Sequence, residues 1–168
     1  GADQLKKQLP GAGITVVGEE KFDNKATDMT AQLTKLKAAN PQAIICWGTN
    51  PGPAIVAKNM KQMGVTIPLI CSHGVANATF LKLAGSAAEG VVLPAGRLIV
   101  VDQIPAKHPQ AKLLRDYTLA YQKAYRTSVD TFGGHAYDAI KIIAGALAKS
   151  GADREKLRAE IEKTKGLV

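Results

Sequence analysis

The chain predicts an open α/β fold on a parallel sheet with flanking helices, on three observations. Two apolar runs, Ala43–Trp47 and Ile67–Cys71, carry no charge, as strands buried on both faces do. Each stops abruptly in a polar turn that contains glycine, at Gly48 and at Ser72. Strand-like and helix-like patterns alternate from the start of the chain to Pro94, the order that winds a parallel sheet right-handedly.

The elements follow in order. Residues 2–9 read as the tail of a helix stopped by Pro10-Gly11. Ile14–Val17, ITVV, is β-branched and reads as a strand. The polar stretch 19–25 reads as a loop. Thr27 or Asp28 is a candidate cap for a helix whose apolar face is Met29, Leu33 and Leu36, and Asn40-Pro41 ends it. After the strand Ala43–Trp47, Thr49 and Asn50 are good cap types and Pro51 suits a first helical turn. The helix over 53–63 places Val56, Met60 and Met63 inward, and Gly64 terminates it. The strand Ile67–Cys71 leads into the turn Ser72–Asn77. A short helix over 79–83 is broken by Gly85, and Gly90–Pro94 is a fourth strand.

Beyond Pro94 the pattern changes. Leu98–Val101 reads as a short strand or an extended crossing segment. Helices follow over 109–126, 135–149 and 154–164, with a turn at Thr131–Gly134. Thr164–Val168 reads as the start of another strand. Three helices thus have no sheet of their own. Tyr117, Tyr121 and Tyr125 share one helix face as a packing stripe, which leads us to expect self-association or a swapped dimer of this piece.

The composition narrows the function. The 168 residues carry a net charge of +8, of which +3 falls on residues 1–95 and +5 on 96–168. A basic excess spread so evenly reads as solvated surface, not as a nucleic-acid interface. No apolar run reaches the ~20 residues of a spanning helix, and no secretory apolar region opens the sequence. Cys46 and Cys71 lie near the ends of buried strands and read as free thiols; a disulfide between neighbouring parallel strands is geometrically awkward. Three dispersed histidines without acidic neighbours at ligand spacing give no metal site, and no cofactor motif is present.

In open α/β sheets, ligands sit beyond the carboxyl ends of the strands. That places the candidate binding residues at Gly48, Thr49 and Asn50 and at Ser72 and His73. The turn Gly48–Gly52 is neither a phosphate-binding P-loop nor a dinucleotide fingerprint. A helix N-terminus there offers backbone N–H groups suited to a carboxylate, or is a plain cap. His73 lacks the nucleophile and orienting carboxylate that catalysis would need, so no catalytic residue is assigned. Phe132, ahead of Gly133-Gly134, is a large aromatic in a turn, either a buried staple or a ligand-facing ring.

The segments ICWGTNPG (Ile45–Gly52), IPLICSHGVANATFLKLAGSAAEGVVLP (Ile67–Pro94), DQIP (Asp102–Pro105) and TFGGHAYDAIKIIAGAL (Thr131–Leu147) together carry a resemblance. In order and spacing they resemble the periplasmic leucine/isoleucine/valine-binding proteins, the substrate-binding subunits of branched-chain amino acid ABC transporters. DMTAQLTKLKAANPQAI (Asp28–Ile44) looks like the family's helix and strand before the first site loop. The resemblance covers essentially the whole chain but about half of the family's length, and so implies a fragment.

It implies a type I periplasmic-binding-protein fold, two lobes with ligand between them. Residues 1–95 would be the second lobe without its first strand, and 96–168 the crossing segment and helices of the first lobe. It also implies a periplasmic location, a small-molecule ligand such as an amino acid or organic carboxylate, a permease partner and no turnover. A ligand-sensing regulatory or receptor domain of the same fold is the alternative, and an α/β enzyme is disfavoured. Residue by residue, Thr49 stands where the family has a ligand-contacting tyrosine. His73 stands where it has the glutamate that pairs with the ligand's ammonium group. Phe132 matches a ligand-packing phenylalanine. A histidine in place of that glutamate loses the charge-assisted partner of an amine, which implies a carboxylate ligand that lacks one.

Overall fold

Two short strands make the sheet. In the computed structural model, which describes residues 1–166, β1 (Ile44–Cys46) and β2 (Leu69–Cys71) run parallel. Their register is Ile44 to Leu69, Ile45 to Ile70 and Cys46 to Cys71. Val92 adds a single parallel bridge beside Ile70: the Cys71 N–H donates to the Val92 carbonyl at 2.8 Å, and the Val92 N–H to the Leu69 carbonyl at 3.0 Å. The expected fourth strand is therefore one bridge long. Gly90, at φ +78°, turns the chain just before it, and Pro94 removes a donor just after.

The expected strand at Ile14–Val17 does not form. The Ile14 N–H turns back to the Leu9 carbonyl at 3.0 Å, and the side chains of Ile14, Val16 and Val17 are exposed. A β-branched run has the propensity for a strand but gains nothing from it without a neighbour.

The chain divides after Ala95 into two compact units. In the first, α1 (Ala2–Gln8) precedes α2 (Thr30–Ala38), α3 (Gly52–Gln62) and α4 (Ala78–Ala84). The apolar faces of α2, α3 and α4 meet the strands in one core that holds Met29, Leu33, Ile44, Cys46, Val56, Met60, Leu69, Cys71, Val75 and Phe80, while α1 buries no residue. Met29, Leu33, Val56 and Met60 point inward as the 3.6-residue period requires, while Leu36 and Met63 are partly buried. Gly64, at φ +63°, follows α3 in the left-handed conformation that stops a helix.

Neither expected cap is made. α2 begins after Met29, whose N–H is held by Asn59 Oδ1 of α3 at 2.8 Å, and Asp28 accepts instead from the Thr30 hydroxyl at 2.6 Å. α3 begins after Pro51, without a side-chain cap from Thr49 or Asn50.

In the second unit, residues 97–103 form 3₁₀ turns, neither strand nor extended crossing, with Leu98 and Val101 buried. α5 (Ala111–Tyr125), α6 (Thr131–Ser150) and α7 (Arg154–Glu162) follow, and α7 packs back on α6. The tyrosine stripe is a packing surface: Tyr117 lies 5.8 Å from Tyr121 and 5.0 Å from Tyr137 of α6, centroid to centroid, and Tyr121 lies 4.7 Å from Tyr125. Gly134 lets α6 approach the 3₁₀ segment; a Cβ there would sit 2.8 Å from Leu98 Cδ2. Of the strand expected at Thr164–Val168, residues 164–166 are irregular, and Leu167 and Val168 lie outside the described residues.

Candidate functional site

Because β1 and β2 are parallel and in register, both chains leave the sheet at the same end, and their exit turns meet. Ser72 is the joint. Its buried Oγ donates to the Gly48 carbonyl at 2.9 Å and accepts the Gly48 N–H at 3.3 Å, while its own N–H donates to the Cys46 carbonyl at 3.0 Å. Gly74 presses against the same turn: a Cβ on it would lie 2.7 Å from the Gly48 carbonyl oxygen and 3.0 Å from Thr49 Cγ2. A third tie runs from Asn50 Nδ2 to Asn77 Oδ1 at 3.2 Å. Asn77 Oδ1 also caps α4 by accepting the Phe80 N–H at 3.1 Å.

The predicted residues of the first unit therefore cluster, but in different roles. Thr49 is exposed, with its Oγ1 accepting from Asn24 Nδ2 at 3.4 Å. His73 is half-buried and opens a 3₁₀ turn over His73–Val75. Ser72 and Asn50 face the neighbouring turn, so they position the tips. Asn50 Oδ1 is buried without a hydrogen-bond partner among the described residues.

The positive end of α3 is not an open anion site. Pro53 has no N–H, and the Ala54 and Ile55 N–H groups both go to the Pro51 carbonyl, at 3.0 and 3.2 Å. The Phe22 ring lies over Gly48 and Gly52, close enough that a Cβ on Gly52 would meet Phe22 Cε2 at 2.4 Å.

Phe132 belongs to the second unit and sits in a helix, not a turn. Asp130 caps α6 by accepting the Gly133 N–H at 2.7 Å, which carries the helix back to Thr131 and leaves the Phe132 ring exposed on its first turn. The two glycines that suggested a turn are helical; Tyr117 and Tyr121 lie beside Gly133, and Leu98 packs where a Gly134 side chain would be.

Cys46 and Cys71 are free thiols, 4% and 2% exposed, directly opposite each other in the ladder. A hydrogen bond to Cys71, reinforced by burial, pushes the Cys46 thiol well above the ordinary thiol range; the same bond lowers Cys71 against its burial.

Sequence reasoning missed Phe22, Asn24, Gly74 and Asn77. The loop at 19–25 has no periodic pattern that would aim Phe22 at a distant turn. Asn77, by contrast, is a cap-type residue just ahead of a short helix, and that signal was legible.

Parallel strand ends tied into one platform define an open α/β fold, the architecture in which ligands sit beyond the carboxyl ends of the strands. The chain belongs to the periplasmic binding protein family, whose model matches residues 1–167. It is 30% identical over 157 residues to a leucine-, isoleucine-, valine-, threonine- and alanine-binding protein of Pseudomonas aeruginosa, covering 93% of this chain and 40% of that protein. It also resembles the crystal structure of an extracellular ligand-binding receptor from Rhodopseudomonas palustris HaA2, with a TM-score of 0.82 at 28% identity over 96% of this chain and 47% of that one. A leucine-binding protein from Thermotoga maritima shares the fold, with a TM-score of 0.83 at 24% identity, over 99% of this chain and 45% of that one. The fold is the type I periplasmic-binding-protein fold, and the chain spans about two fifths of the length of the curated relatives it matches. Among the described residues, no helix is long and apolar enough to cross a membrane.

Proposed function

We propose that this chain is part of the extracytoplasmic solute-binding subunit of a branched-chain-amino-acid-type ABC importer, working with a permease in the periplasm. The P. aeruginosa relative, a binding protein for leucine, isoleucine, valine, threonine and alanine, supports that reading. Residues 1–95 are then the second lobe and residues 96–168 the crossing segment and helices of the first; the division after Ala95 supports this assignment. The platform of Gly48, Thr49 and His73 faces the ligand. Ser72 and Asn50 hold it in shape, and Phe132 is a ligand-facing ring of the other lobe.

The observation that carries the reading is the joined pair of strand tips, with Thr49 exposed and His73 half-buried at its surface. Gly48–Gly52 and Ser72–Asn77 contain no acidic residue to neutralise an ammonium group. An imidazole N–H and a threonine hydroxyl donate to a carboxylate instead. The ligand is therefore an organic carboxylate without an amine, aromatic or aliphatic, and the protein releases it unchanged. Isothermal titration of the full-length protein tests this. Binding of aromatic or aliphatic carboxylates with no response to leucine is expected; tight leucine binding without carboxylate binding overturns the ligand class.

A further inference from the structure

We infer that Cys46 and Cys71 are a reversible dithiol/disulfide pair that cross-links β1 to β2 directly beneath the ligand platform. Three observations point there. The two residues are exact ladder partners in neighbouring parallel strands. Both side chains enter the same core from the same face of the two-stranded ladder, so the sulfurs lie on one side of the sheet. Each cysteine adjoins the joint described above: Cys46 accepts the Ser72 N–H through its carbonyl, and Cys71 is bonded in sequence to Ser72.

The geometry sets the character of the bond. Adjacent strands lie about 4.8 Å apart, inside the Cα range of natural disulfides. Parallel Cβ vectors keep that spacing, however, whereas a relaxed disulfide brings its Cβ atoms to about 3.8 Å. Closure therefore draws the two strand ends together and stores strain, which makes the bond easily reduced rather than permanent. Access comes from the shortness of the strands. β1 and β2 have three residues each, so a local opening of few ladder bonds uncovers the pair.

The chemistry is thiol–disulfide exchange with an external disulfide as oxidant. Cys71, once the local opening exposes it, reacts as the thiolate. It attacks one sulfur of the oxidant, breaking that S–S bond, forming a mixed disulfide and releasing the first oxidant thiol. Cys46 then loses its proton and attacks the Cys71 sulfur, forming the Cys46–Cys71 bond and releasing the second oxidant thiol. The pair loses two electrons and two protons, and the oxidant becomes two thiols.

The test uses the chain as it stands. The native protein is equilibrated in glutathione buffers from fully reduced to fully oxidised, quenched in acid, and alkylated in denaturant. Peptide mass spectrometry then follows the cysteines, and a parallel sample is run on a non-reducing gel. The expected result is a monomer in which the Cys46 and Cys71 peptides become linked with the loss of two hydrogen atoms. The link disappears on addition of dithiothreitol. Cys46→Ser and Cys71→Ser variants should each keep one alkylatable thiol and form no intramolecular link. Two alkylated thiols across the whole buffer series, or only glutathione adducts and intermolecular dimers, would overturn the proposal. The outcome does not depend on which ligand binds, so it stands or falls apart from the transport reading.

Discussion

Replacing Ser72 with alanine removes one oxygen and, with it, both contacts that clamp β2 to the Gly48 turn. The bond to the Gly48 carbonyl, at 2.9 Å, is well formed; the one from the Gly48 N–H, at 3.3 Å, is long. A well-made hydrogen bond contributes about 1 kcal/mol net, and the long one about half of that. Alanine keeps the Cβ, so little cavity is created and no cavity cost is added. The expected destabilisation of the first unit is about 1.5 kcal/mol. Trp47 is the sole tryptophan and immediately precedes Gly48, so its fluorescence follows unfolding of this unit alone. With a urea m-value of about 1.5 kcal/mol/M, the midpoint should fall by about 1 M at unchanged m. An unmoved midpoint would show that Ser72 is a bystander and that the two tips are held by something else.

Gly74→Ala should act on the same joint by crowding, because the new methyl would lie 2.7 Å from the Gly48 carbonyl oxygen; we expect a loss of about 1–3 kcal/mol by the same fluorescence assay, with amide shifts spreading to Thr49. Burial, with the charges of Tyr121, Asp130, Tyr125 and Asp138 adding to it, raises the Tyr117 phenol above its ordinary value. A group raised in the folded state contributes stability below its unfolded pKa and loses it as pH climbs through the folded one. Ultraviolet titration should therefore show a late-ionising component that disappears in Tyr117→Phe; a titration curve left unchanged by that substitution would refute it. The row Tyr137, Ile140, Ile143 and Leu147 on α6 is exposed and apolar, so the isolated chain should self-associate at micromolar concentration. Light scattering that returns a clean monomer would count against this.

The parts of this molecule that were legible in the sequence are those fixed by local pattern. Val56 and Met60 lie at helical spacing and Gly64 supplies a left-handed stop, so α3 was readable to within a residue. Ile44–Cys46 and Leu69–Cys71 were readable as uncharged apolar runs, but the burial expected on both faces holds on only one face of β1: Ile45 and the following Trp47 are exposed. What failed depended on distant partners. Ile14–Val17 has the composition of a strand but no neighbour in the ladder, and Gly90–Pro94 keeps one bridge. Asp28 resembles a cap, yet the Met29 N–H is taken by Asn59, thirty positions on. Gly133-Gly134 looked like a turn because glycine usually marks one; here both are helical, and Gly134 makes room for Leu98. That two strand tips end together was legible, but which residue joins them was not, since a serine hydroxyl reaching a glycine backbone leaves no periodic trace.

The Asp130 cap has a consequence for Phe132. An aromatic ring on a loose loop samples many orientations and must give them up when another molecule covers it. On a capped first turn, the backbone is fixed and only a few χ1 states remain. A ring so restrained has little disorder left to lose, so nearly all the favourable contact it makes would appear as affinity.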